Sequence, residues 1–96
     1  MQEFHEIVDT RLTQPILKLC HDFAERGAHE EYTYFAGVLN LLADPKDEEM
    51  VLAATIELSR CAFLGFEYTE DARLKIDKIL EDAIDLAHTM SASDVN

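Results

Sequence analysis

Apolar residues recur along most of the chain at the three- and four-residue steps of a helix, and strand-like alternation is nowhere sustained. The most regular stretch is the last. Ala72, Ile76, Ile79, Ala83, Leu86 and Met90 alternate steps of four and three, the seam of an antiparallel bundle or coiled coil. The pattern predicts four helices, near 2–26, 29–43, 45–64 and 70–90, with 91–96 as a frayed tail. Residues at the breaks agree. Gly27 can take the left-handed backbone that closes a helix, and Gly65 reads as a second stop. Asp44-Pro45 places a cap acceptor before a proline at the first helical position, and Thr69 before Glu70 and Asp71 reads as a start.

The first helix carries a phase problem. Phe4, Val8 and Leu12 form one apolar stripe, and Ile16, Leu19, Cys20 and Phe23 form another, turned from it by roughly 90° at helical spacing. One straight α-helix cannot offer both to one core. Pro15 lies between them and removes a backbone donor, so a kink at Pro15, or a new helix capped by Thr13, is expected.

The middle of the chain is apolar nearly all round. No charged residue occurs from Tyr32 to Ala43, and only Glu57 and Arg60 interrupt the run from Met50 to Phe66. On the third helix Met50, Val51, Ala54, Leu58, Cys61 and Ala62 define one face, while Leu52, Ile56, Phe63 and Phe66 spread onto another. Such a helix has to be covered on more than one side. The apolar surface left over, with Tyr34, Leu41 and part of the third helix, is expected to meet a second copy, a partner groove or a small ligand. Tyr34 projects away from Tyr32, Phe35, Ala36 and Leu39 and is read as an interface anchor.

Composition sharpens this picture. The 96 residues suit one domain, and the two cysteines, Cys20 and Cys61, read as small buried apolar groups. Twenty acids against eight bases give a net charge of −12, shared equally by the two halves of the chain. That sign opposes direct nucleic-acid binding and docking on anionic membranes. The start of the chain carries acids where a signal peptide needs Lys or Arg, and the longest charge-poor run falls short of the roughly 20 residues of a membrane span. A cytoplasmic protein is expected.

Candidate chemistry is sparse. Phosphate loops, nucleophile elbows and zinc motifs are missing from the sequence, and of the serines Ser59, Ser91 and Ser93 two fall in the tail. Cys20 and His21 are adjacent and diverge by about 100°, too far for an activated thiol. Glu81, Asp85 and His88 share one helix face at metal-ligand spacing, and His21, Glu25 and His29 fall at i+4 steps. Both sets lie opposite their apolar stripes, however, and Gly27 separates His29 from His21.

The expectation is an all-α, compact antiparallel bundle of four helices forming one domain over 1–96, paired as a homodimer. It is expected to be no enzyme and to hold no cofactor. Its role is to bind a basic protein partner as a regulator, inhibitor, immunity-type or chaperone-like protein. Asp77, Glu81 and Asp85, with Tyr34 and Leu41, are the predicted partner-binding residues. A density of charge this high repels itself, and a basic partner surface accounts for it. The alternative is a dimeric bundle holding a metal or small ligand between helices, with Glu81, Asp85 and His88 as the metal set.

Overall fold

A computed structural model of the chain describes residues 3–44, 46–60 and 68–94, with side chains of the last helix described through Thr89. The described residues are helical with short connections and form no strand. The first rod runs through α1 (Phe4–Val8), a π-helical segment (Asp9–Thr13) and α2 (Gln14–Arg26). It is followed by α3 (His29–Leu41), α4 (Glu48–Ser59) and α5 (Glu70–Asp94). The four rods close into a compact body of 45 × 22 × 20 Å.

The π segment resolves the phase problem of the first rod. Thr13 has helical dihedrals and caps nothing, so no separate helix begins there. The Gln14 N–H instead reaches back five residues to the Asp9 carbonyl. Pro15 offers no N–H to the carbonyl four residues earlier, and the wider turn accommodates that loss. A π turn inserts one extra residue, which resets the register by on the order of 100°. Val8 and Leu12 therefore face the same core as Ile16, Leu19, Cys20 and Phe23, and all six are buried.

The helix ends have local causes. Gly27 adopts φ 72° and ψ 20°, and the Ala28 N–H closes back on the Phe23 carbonyl at 2.9 Å. Thr69 Oγ1 accepts the Ala72 N–H at 3.1 Å and starts α5. The start of α4 differs from the sequence reading. Asp47, not Asp44, caps it, accepting the Met50 N–H at 3.4 Å, and Glu48 and Glu49 fill the first turn. Asp44 serves the preceding turn through the Lys46 N–H at 3.2 Å. α4 closes at Ser59 with Arg60 as its C-cap, earlier than the expected end near 64, and Pro45, Gly65 and positions 61–64 lie outside the described residues.

The core is one cluster. Phe35, Val38 and Leu42 from the α3 hairpin side meet Val51, Ala54 and Leu58 of α4, and the α5 stripe Ala72, Ile76, Ile79, Ala83 and Leu86 is buried as its spacing predicts. Each fully buried large side chain contributes about 1.5–3 kcal/mol. The Phe23 ring stacks on Phe35 at 5.7 Å and meets Tyr68 at 6.2 Å, so these aromatics pack the core. Met50, read with the core face of its helix, is 38% exposed. It stands in the first turn of α4, beyond the buried positions Val51, Ala54 and Leu58.

Candidate partner-binding surface

The core stripe of α5 leaves two flanks and an outer crest. Asp77, Glu81 and Asp85 occupy that crest, and all three are exposed. Among the described residues, which include every Lys and Arg of the chain, none of the three forms an ion pair. Their charges are therefore available to a partner.

One flank of α5 meets α4 in an apolar trough of about 250 Å³. Thr55, Ala83 and Ala87 form its floor, and Leu52, Ile56 and Ile84 stand along its walls. Ile56 is 56% exposed and Ile84 54%. This is the second apolar face that the sequence assigned to the third helix, in part. Phe63 and Phe66, assigned to it as well, lie outside the described residues, as do Cys61 and Ala62. Glu48 and Glu49 precede Leu52 by one turn on the same side of α4, and both are exposed and unpaired among the described residues.

The opposite flank of α5 has a different character. It meets α2 in a shallow apolar groove of about 380 Å³ lined by Pro15, Leu74 and Ile79, with Lys18, Lys75 and Lys78 on its rim. Lys75 bridges to Asp22 at 3.1 Å and to Asp71 at 3.2 Å. The Lys75 hydrogen bond holds the Asp22 carboxyl below its ordinary range, and the same bond, then that to Asp71, raises the Lys75 ammonium above its own. The lysines of this flank thus stand among acids, Lys75 with Asp22 and Asp71 and Lys78 with Asp82, whereas Asp77, Glu81 and Asp85 on the crest have no such partners among the described residues.

Tyr34 and Leu41 are placed differently from the trough. Tyr34 is half-buried, its ring edge-on to Phe35 at 5.0 Å, and its hydroxyl donates to the Glu57 carbonyl of α4. Leu41 is half-buried against the core. The centre of the α3 face is Phe35, Val38 and Leu42, while Tyr32, expected to face inward, is 41% exposed. A helix without charges over most of its length carries little periodic signal to fix its face.

The metal set is not assembled. Glu81, Asp85 and His88 are exposed along α5, and among the described residues no three His, Cys, Asp or Glu side chains converge on a point. His21 Nε2 instead pairs with Glu25 at 3.0 Å on the open surface of α2, and His29 begins α3 beyond the Gly27 stop. The Cys20 thiol is buried, which pushes its pKa up and keeps it protonated.

Sequence reasoning missed one charged residue. Asp82 is 6% exposed and is bound by Lys78 at 3.1 Å, with Arg11 of the π segment at 4.0 Å. Its position, three residues after Ile79 and four before Leu86, was the available signal.

Compared with known proteins, the chain matches no family model, no curated protein and no solved structure. Its likeness gives no function. Among the described residues no helix is long and apolar enough to cross a membrane.

Proposed function

We propose that the protein is a non-enzymatic binding protein that takes up a basic protein partner on the crest of α5 and the adjoining α4–α5 trough. The observation that carries this reading is the set Asp77, Glu81 and Asp85, exposed and unpaired beside the exposed Ile56 and Ile84. Acids alone keep a small protein soluble. Acids bordering exposed apolar walls match the usual make-up of a docking surface, in which apolar contacts supply affinity and charge supplies rate and selectivity. A regulator or inhibitor of a basic enzyme or nucleic-acid-binding protein fits this surface.

Capture from a host extract on the immobilised chain, followed by a salt gradient, tests the reading. A basic protein should be retained and should elute between about 0.1 and 0.5 M salt as charges are screened. It should be missing from the eluate of the Asp77→Lys, Glu81→Lys, Asp85→Lys triple variant. Equal retention by both chains contradicts the reading.

The four rods are read as an antiparallel bundle, since the Tyr34 hydroxyl in the second turn of α3 meets the last turn of α4. A homodimer is proposed through the other flank. Leu74 is 64% exposed there, and the rim carries both Lys18 and Asp71, so two copies related by a two-fold axis can match opposite charges. Sedimentation should give a dimer, and Leu74→Lys a monomer.

A further inference from the structure

We infer that the α4–α5 trough seats a single basic amphipathic helix of the partner. This rests on the reading of the surface as a site for a basic protein, and adds the shape of what enters it.

Three observations converge. The trough runs along Leu52–Ser59 of α4, about two helical turns, and its floor is made of small side chains, Thr55, Ala83 and Ala87. Two helices separated by small residues leave a channel into which the side-chain ridge of a third helix fits. The walls are helices, whose backbone N–H and C=O groups are already paired. An extended strand laid in the trough would find no ladder and would leave its own backbone groups unpaired against apolar walls. A helix satisfies its own. Its contact face would carry apolar residues at i, i+3 or i+4, and i+7, to meet Leu52, Ile56 and Ile84.

Charge then selects the occupant. Glu48 and Glu49 extend the α4 wall, and Asp77 and Glu81 precede Ile84 along its side of α5. No Lys or Arg lines the trough, whose remaining lining residues are Ser59 and His88. A helix with Lys or Arg beside its apolar stripe gains from both rims. A second copy of this chain presenting the same face would set these acids against their own kind, which disfavours it as the occupant.

The test uses the full chain and two labelled peptides of one composition, rich in Leu and Lys. In one the leucines fall on a single helical face; in the other they are distributed all round. Each is titrated into the wild type, into Ile56→Asp and into Glu81→Lys. Ile56 and Glu81 are exposed, and circular dichroism checks that both variants fold. The one-faced peptide should bind the wild type at least roughly tenfold tighter than its scrambled partner and gain helix on binding. It should lose about tenfold or more on Ile56→Asp and on Glu81→Lys. Equal binding of both peptides, weakened by Glu81→Lys and untouched by Ile56→Asp, overturns the helix-in-trough inference and leaves the acidic surface standing. Binding of neither peptide overturns both. A wild-type dimer that becomes monomeric with Ile56→Asp assigns the trough to a second copy and overturns the inference as well.

Discussion

The Tyr34 hydroxyl donates to the backbone carbonyl of Glu57, fastening the second turn of α3 to the last turn of α4. The same carbonyl accepts the Arg60 N–H at 3.0 Å, so it serves both its own helix end and its neighbour. Tyr34→Phe keeps the ring and its edge-on contact with Phe35 and removes the hydroxyl that donates to Glu57. The variant should lose about 1 kcal/mol of stability in urea unfolding, with an unchanged denaturant slope.

Neighbouring positions on α4 should respond in opposite ways to the same substitution. Leu58 is fully buried, and Leu58→Asp would place an unpaired carboxylate in the core. Its cost is comparable to the whole stability of a small domain, so the variant should be unfolded by circular dichroism at 25 °C. Ile56→Asp, on the open wall of the trough, should change stability by less than about 0.5 kcal/mol.

The Lys75–Asp22 bridge between α5 and α2 predicts a pH dependence. Asp22 titrates below its ordinary 3.8 when folded, so its contribution is present above that value and disappears as pH falls through the lowered one. Lys75 titrates above its ordinary 10.5, so its contribution is present below that value and disappears as pH rises through the raised one. The melting-temperature difference between the wild type and Lys75→Met should be level from about pH 5 to about pH 9 and should shrink below about pH 4. Both side chains are partly exposed, so the difference is small and should fall further with added salt.

The π segment makes a prediction about chain length. It carries one residue more than a regular α turn, and Thr10 within it is exposed. Removing Thr10 while changing Pro15→Ala should yield a continuous α-helix that still points Val8 and Leu12 at the core, with stability near that of the wild type. Inserting one alanine after Thr10 should instead turn α1 by about 100° and withdraw Val8 from the core. That costs about 2 kcal/mol or more, read in thermal unfolding.

These cases also mark what could be read from the amino acids alone. Gly27, Thr69 and the stripe from Ala72 to Leu86 were legible because each involves one helix and a local rule: a left-handed cap, a hydroxyl cap, a four–three spacing. The clash between the stripes around Pro15 was legible as a conflict. Its solution was not, because a kink, a break and an inserted π residue relieve the same clash and leave the same sequence signature. The face of α3 was hidden for a simpler reason. With apolar residues almost all round, whether Tyr34 or Tyr32 turns inward depends on which helices come alongside, and that is a tertiary fact. Of the candidate site, the acids on the crest of α5 were visible as the side opposite its stripe. The trough beside them depends on small residues of two helices meeting, Thr55 with Ala83 and Ala87, and spacing within either helix does not reveal it.

The central claim is that the acidic crest of α5 attracts and holds a basic protein. The most direct measurement is the association rate of the captured partner with the wild type and with Glu81→Lys/Asp85→Lys, at about 50 mM and about 500 mM salt. The account predicts a wild-type rate that drops by roughly tenfold or more over this range, and a slower, nearly salt-independent rate for the variant. Identical rates and identical salt dependence for the two proteins would contradict it.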